Sequence, residues 1–421
     1  MVTEDPHMHE RLLEVFAKKV PLPTKLELRP TDKCHLYCRH CWRRMETEGF
    51  RYDDELPPSR WVEIIREAAD LGIRKIEFVG GGEPMHDPDA AMRYFREVKS
   101  AGIFGDLVTS GTKFTDDIIR EMVELGWDRI MFSLDGANPI SNDYVRFSRG
   151  AFELATWAIG RFTHWKDALG SERPLLGMVP VLTNRNYTEF KDYIGLAHKL
   201  GVYHVGFKPL FAFHESGASL QLTGEHLGAM NAHIEEALPL AQRYGIETNM
   251  DSLVHRPGNE VVKNAADVTV LYREDISATR IELAKELGLT EEELHASSLG
   301  EIYETFSKFL LVPCFLPWSH LTILANGDVS PCTGAGALKT KPNVRDTSLR
   351  DALSDEILAR FRETLAKGDF PAVCKSCCVG LFLDNRRYRR DLKGWGANLL
   401  QQEKRPPSHR RLRQLLQVFT R

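Results

Sequence analysis

Three cysteines, Cys34, Cys38 and Cys41, stand in a C-x3-C-x2-C array directly after the short apolar run Leu26–Leu28. Thiolates held this closely on one loop suit soft metal ligation, above all an iron–sulfur cluster. Three close cysteines also leave a zinc site open. Three ligands are one too few for a four-iron cluster, so the fourth iron would be free to bind another group, as a catalytic metal keeps an open position.

The other five cysteines are Cys314, Cys332, Cys374, Cys377 and Cys378. Asn326-Gly327-Asp328, between the apolar runs Leu321–Leu324 and Val329, signals a hairpin with Cys332 at its far end. Cys374-x2-Cys377 is a tight chelating pair. Cys314, Cys332, Cys374 and Cys377 thus form a closed four-thiolate site that zinc or an iron–sulfur cluster would fit by geometry. A disulfide framework suits neither set, because the chain has 421 residues and no export signal.

A second cluster of chemistry is Gly80-Gly81-Gly82-Glu83, where three glycines permit close backbone approach and positive φ, and an acid follows. Thr109-Ser110-Gly111, Ser133-Leu134-Asp135-Gly136 and Asn184 put small polar groups at strand ends, where turn chemistry is the competing explanation. Asp143-Tyr144-Val145-Arg146 precedes Gly150-Ala151-Phe152, and the planar fork of Arg146 suits a carboxylate.

Positioning these groups needs a scaffold. Apolar β runs at Leu26–Leu28, Lys75–Val79, Asp106–Thr109, Arg129–Leu134, Leu176–Val181 and Val202–Phe207 alternate with helical patterns at Trp61–Leu71, Ala90–Ala101, Asp116–Leu125 and Phe190–Leu200. That alternation calls for βαβ units and a parallel sheet, an α/β partial (β/α)6 barrel with chemistry at the C-terminal strand ends. The alternating first strand reads as an exposed edge. A helix near Gly224–Tyr244, a strand at Ile246–Met250 and helices at Glu301–Leu311 and Leu349–Leu365 complete the pattern, with Thr290-Glu291-Glu292-Glu293 as a helix N-cap. The expected divisions are an N-terminal helix in 1–24 (helical at 7–19), the barrel in 25–253, a helical insertion or bridge in 254–312, a cysteine domain in 313–380 and a basic tail in 381–421.

C-x3-C-x2-C with the aromatic His40 before its last cysteine resembles the signature of the radical S-adenosylmethionine (radical SAM) enzymes. The resemblance implies that Cys34, Cys38 and Cys41 hold a [4Fe–4S] cluster whose open iron is chelated by SAM, which is cleaved to a 5′-deoxyadenosyl radical. Gly80–Glu83 resembles the family's GGE motif, so Gly81, Gly82 and Glu83 would bind the SAM amino group. Arg146 would contact the SAM carboxylate, and His40, Ser110, Ser133 and Asn184 would complete the cofactor site. The C-terminal cysteines resemble the SPASM/twitch region, in its shorter twitch form with one auxiliary [4Fe–4S] cluster on Cys314, Cys332, Cys374 and Cys377. Cys378 would then be an inert thiol, an alternative ligand, or the catalytic hydrogen-atom donor that epimerases of this family require.

Three functions remain open. One is oxidation or epimerisation of a small polar metabolite such as a sugar, aminocyclitol or nucleoside, favoured by a single auxiliary cluster and by 24 residues too short for a recognition module. A second is a maturase that modifies a ribosomally made peptide, with the basic tail or insertion holding an acidic leader. A third is a non-enzymatic iron–sulfur redox or nucleic-acid-binding protein, which leaves Gly80–Glu83 unexplained. An electron donor such as flavodoxin or ferredoxin is implied as partner, with neither membrane nor nucleic acid expected. Net charge is −4, yet residues 386–421 carry 11 Lys/Arg against 2 Asp/Glu. That basic tail suits either an acidic partner or the protein's own acidic surface. No signal peptide or long apolar run is present, and the expected location is the cytoplasm. The general base could be Asp135, Lys208, His214 or Glu215.

Overall fold

A computed structural model describes residues 23–45, 54–210, 215–254, 314–332, 338, 340–367, 369, 371, 373 and 374. The helices expected at 7–19 and 301–311, the cap at Thr290, the basic tail, His214, Cys377 and Cys378 lie outside these residues. The chain divides into two units, one built on Leu26–Glu260 with Ile323–Asp328 and the other on the remaining residues.

The first unit alternates strands and helices: β1 (Lys25–Leu28), α1 (Pro58–Asp70), β2 (Lys75–Phe78), α2 (Pro88–Ser100), β3 (Phe104–Thr109), α3 (Asp116–Glu124), β4 (Arg129–Phe132), α4 (Pro139–Arg146), α5 (Ala151–Leu169), β5 (Leu175–Met178), β6 (Val181–Leu182), α6 (Phe190–Leu200), β7 (His204–Val205), β8 (Lys208–Pro209), α7 (Glu215–Ala218), α8 (Gly224–Tyr244) and β9 (Glu247–Thr248). The strands line up in the order β1-β2-β3-β4-β5-β7-β9 and pair in parallel from β2 onward. This is the incomplete (β/α)6 barrel. Helix starts are set locally: Asp87 accepts from Ala90 N–H, Thr115 from Ile118 N–H, and Asn138 from Ile140 and Ser141 N–H. In α1, Trp61, Ile64, Ile65 and Ala68 form one buried stripe at helical spacing.

Phe95 and Trp127 pack with ring centroids 4.4 Å apart beside Phe78. Gly105 lies flat under Trp127, where a Cβ would sit 2.4 Å from the ring.

Four expected strands are corrected. β1 is no exposed edge: Leu26, Glu27 and Leu28 are buried, Val79 N–H donates to Leu28 O, and Arg29 N–H donates to Ile323 O. Its charged positions are a buried ion pair, Arg29 with Glu27 at 2.9 Å, which mimics the alternation of a solvated strand. The fifth strand breaks into β5 and β6 at Val179–Pro180, where proline removes a donor, and β6 pairs only with β8. The sixth breaks at Gly206–Phe207 because Asn249 takes both backbone groups of Phe207, accepting its N–H at 2.9 Å and donating to its carbonyl at 2.8 Å. The same bonds shorten the strand expected at Ile246–Met250 to β9.

The C-terminal elements are α9 (Leu316–Ser319), β10 (His320–Ile323), β11 (Val329–Ser330), α10 (Leu349–Leu353) and α11 (Glu356–Ala366), of which the end of β10 and the turn after it, Ile323–Asp328, belong to the first unit. The hairpin turn forms as expected, with Gly327 at φ 91° and Asp328 N–H donating to Asn326 Oδ1. The single helix expected over Leu349–Leu365 is two, because Asp355 accepts from Ile357 N–H and starts a new helix. Arg362, buried, donates to Pro317 O at 2.8 Å and ties α11 to α9.

Candidate iron–sulfur and SAM site

The cysteine loop is shaped by the glycine loop that follows β2. Gly82 N–H donates to Thr31 O and Glu83 N–H to Lys33 O, each at 2.9 Å. A Cβ on Gly82 would lie 2.0 Å from Lys33 O, and one on Gly81 would lie 1.9 Å from Asp32 Oδ1. None of Gly80, Gly81 and Gly82 has a positive φ, which corrects one of the two reasons offered for them. At Gly82 the two loops press backbone to backbone, at Gly81 the crowding atom is the Asp32 carboxylate, and at Gly80 it is the carbonyl of Gly82 in the same loop. Glu55 braces the loop from its other side, accepting from Thr31 Oγ1 at 2.9 Å and Asp32 N–H at 2.8 Å.

Glu83 is buried, and β3 fixes its carboxylate. Oε1 accepts from Thr109 Oγ1 at 2.6 Å and Met85 N–H at 3.1 Å, while Oε2 accepts from Ser110 N–H at 2.8 Å. Ser110 Oγ meets Thr112 Oγ1 at 3.0 Å, and Thr112 meets His35 Nε2 of the cysteine loop at 2.6 Å. Burial lowers the pKa of His35 from the usual imidazole range, which favours the neutral ring.

Cys38 is buried, whereas Cys34 and Cys41 are partly exposed. Burial pushes the Cys38 thiol up to about 12, opposed by the neighbouring Arg146 guanidinium and reinforced by Asp135, Cys41 and Cys34. Burial also raises Cys34. These thiols therefore stay protonated in an empty loop and need a metal to become thiolates. Among the described residues no group of three or more His, Cys, Asp or Glu is gathered around a single ion position.

Arg146, at the last turn of α4, is buried with its Nε 2.8 Å from Asp135 Oδ2 and its Nη1 3.8 Å from Cys38 Sγ. Asp135 is fully buried; its Oδ1 accepts from Val181 N–H at 2.9 Å, and His40 Nε2 lies 3.8 Å from its Oδ2. Asp135, one of the candidate general bases, is therefore paired with Arg146 and His40. Lys208 and Glu215, the other described candidates, are exposed.

The structure thus brings Cys34, Cys38, Cys41, His40, Glu83, Ser110 and Arg146 into one bonded system. Ser133 is tied in through its N–H, which donates to Thr109 O at 2.8 Å. Asn184 hangs from α7, donating to Ser219 O at 2.9 Å. Sequence reasoning missed Thr109, Thr112 and Glu55 as supports, since lone hydroxyls and acids in turns carry no distinguishing signal. Cys314, Cys332 and Cys374 are partly exposed and outside any disulfide.

The chain matches the radical SAM superfamily over residues 28–167 and an iron–sulfur cluster-binding SPASM domain over residues 314–378. Residues 28–167 are thus a radical SAM domain and residues 314–378 a SPASM domain. Among curated proteins, it is 29% identical over 179 residues to the tungsten-containing aldehyde ferredoxin oxidoreductase cofactor-modifying protein of Pyrococcus furiosus, covering 42% of this chain and 49% of that one. It is 30% identical over 147 residues to the PqqA peptide cyclase of Methylocella silvestris, covering 33% and 37%. The matched region thus spans half or less of these relatives. Streptococcus suis SuiB bound to S-adenosylmethionine shares the fold with TM-score 0.58 at 14% identity, covering 87% of this chain and 75% of that one. The enzyme anSMEcpe with bound AdoMet does so with TM-score 0.53 at 12% identity, covering 88% and 96%.

The cofactors of this radical SAM chain are accordingly [4Fe–4S] clusters and SAM. Its residues fit them. Asn184 Oδ1 is buried without a hydrogen-bond partner among the described residues, and it belongs to a side chain expected to meet SAM. Among the described residues, no helix is long and apolar enough to cross a membrane.

Proposed function

We propose that this chain is a radical SAM enzyme that abstracts a hydrogen atom from a peptide substrate and modifies it. The observation that carries the reading is the likeness to a PqqA peptide cyclase, which outweighs the small-metabolite expectation drawn from the short N-terminus and the cysteine count. The same fold in SuiB bound to the precursor peptide SuiA supports it, at TM-score 0.57. When bound, the cluster and SAM would supply an electron and a 5′-deoxyadenosyl radical.

The chain's part is positioning. Cys34, Cys38 and Cys41 hold the cluster, with the thiols deprotonating on metal binding. Glu83, locked by Thr109 and Ser110, presents its remaining acceptor capacity to the SAM amine. Arg146, aligned by Asp135, offers its free N–H groups to a carboxylate. Cys314, Cys332, Cys374 and Cys377 would hold an auxiliary cluster, with Cys378 beside it as the candidate hydrogen-atom donor.

The test is anaerobic reconstitution with iron and sulfide, where two clusters give about eight irons per chain. 5′-Deoxyadenosine release is then compared with panels of short peptides and of sugars, aminocyclitols and nucleosides, each screened by mass for loss of two hydrogens. Stimulation by peptides alone supports the reading. Stimulation by the small molecules alone would overturn it.

A further inference from the structure

Helix α4 is amphipathic the wrong way round. Its buried face is mostly polar, made of Ser141, Asn142, Val145 and Arg146. Its solvent face carries Ile140, Tyr144 and, at the cap, Phe147, which are 86%, 39% and 52% exposed. Ile140 and Tyr144, at i and i+4, share one side of the helix, and Arg39 lying over both Tyr144 and Phe147 sets Phe147 beside them, so the three form one exposed stripe. Phe147 adds strain, because it is the only described non-glycine residue with a positive φ, at 51°. Glycine would relieve it at once.

Cations surround the stripe. Arg39 lies over the rings of Tyr144 and Phe147, 4.4 Å from each centroid, and Arg185 lies over Tyr144 at 4.5 Å. Arg149 is exposed two residues beyond Phe147. The nearest acid on this segment, Asp143, is engaged with the N–H groups of Gly150 and Phe152. Arginines stacked on exposed aromatics are the composition of binding hot spots. The place is also specific. Arg39 sits between Cys38 and His40, its N–H donates to Val145 O at 2.8 Å, and its Nε donates to Tyr144 O at 3.0 Å.

We propose that the Ile140–Tyr144–Phe147 stripe with Arg39, Arg149 and Arg185 is the docking surface for an acidic one-electron carrier protein. The carrier loses one electron and the cluster on Cys34, Cys38 and Cys41 gains it; no bond is made or broken. Charge complementarity decides for this occupant: Arg39, Arg149 and Arg185 gather beside the exposed rings and attract an acidic carrier there. Arg39 puts that contact one peptide bond from a cluster ligand. The inference rests on the cluster reading of the N-terminal cysteines.

The experiment mixes the anaerobically reconstituted protein with flavodoxin hydroquinone, or separately with dithionite, and follows bleaching of the cluster absorbance by stopped flow. Ile140→Glu, Arg149→Glu and Arg185→Glu, all at exposed positions, should each slow reduction by flavodoxin at least tenfold. Reduction by dithionite and iron content should stay at wild-type values. Raising the salt should slow the wild type with flavodoxin and leave the variants nearly unaffected. Equal rates for wild type and variants with flavodoxin would overturn the proposal, as would a matching loss with dithionite, which would mean damage to the cluster. A wild type that does not bleach with dithionite would count against the cluster itself, and the docking surface would fall with it.

Discussion

The guanidinium of Arg146 bridges Asp135 and Cys38, with Nε 2.8 Å from the carboxylate and Nη1 3.8 Å from the sulfur. Removing one partner of a buried pair leaves an uncompensated charge, at a cost of about 3–5 kcal/mol. Arg146→Met and Asp135→Asn should therefore each lower the unfolding midpoint sharply. The double variant should lose less than the sum of the two, and a double-mutant cycle on denaturation measures the coupling. Additive losses would mean that the pair does not act as one unit.

Gly81 and Gly82 should respond differently to alanine. At Gly82 the new Cβ meets the carbonyl of Lys33, which cannot yield without moving the cysteine loop. Overpacking of this kind costs about 1–3 kcal/mol, and iron bound by Cys34, Cys38 and Cys41 should fall. At Gly81 the clash is with the Asp32 carboxylate, the end of a side chain that can rotate away. Iron content and thermal midpoint of Gly81→Ala should stay nearer wild type.

Glu83→Gln puts an amide where the carboxylate accepts three hydrogen bonds. At least one donor then faces another donor, at about 1–3 kcal/mol. SAM retention by the reconstituted protein, measured by equilibrium dialysis, should drop more for this variant than for Thr109→Val, which removes only one support of the carboxylate.

His204 should make the barrel acid-sensitive. Burial lowers its pKa from 6.5 to about 4, so the folded state holds the neutral ring while the unfolded chain takes up a proton below about pH 6.5. Its contribution is complete above that pH and is lost as pH falls toward 4, by up to about 3 kcal/mol. Unfolding midpoints of wild type and His204→Gln, compared at pH 7.5 and pH 5, should show a smaller drop in the variant.

Much of the barrel was legible because its signals are local. Apolar runs marked β2, β3 and β4 to within about two residues, and helical spacing placed the helices that follow β2 and β3. What failed depended on distant groups. The break between β7 and β8 is made by Asn249, some 40 residues away, and the burial of β1 by Ile323, nearly 300 residues away. Glu27 and Arg29 looked solvated because a buried ion pair and an exposed one read alike in sequence. At the site, ligating residue types and spacing were visible in Cys34, Cys38, Cys41 and Glu83. The supports were not: Thr109, Thr112 and Asp135 matter only through what they touch.

The two bonds from Gly82 and Glu83 to the carbonyls of Thr31 and Lys33 also fix an order of assembly. The loop carrying Cys34, Cys38 and Cys41 acquires its shape from a segment made some 50 residues later. A ribosome that has released only the first strand presents three thiols with no scaffold to aim them. The three thiols therefore reach the arrangement seen here only once β1 and β2 are both made and paired, and a chain stalled before Glu83 lacks the bonds that hold it.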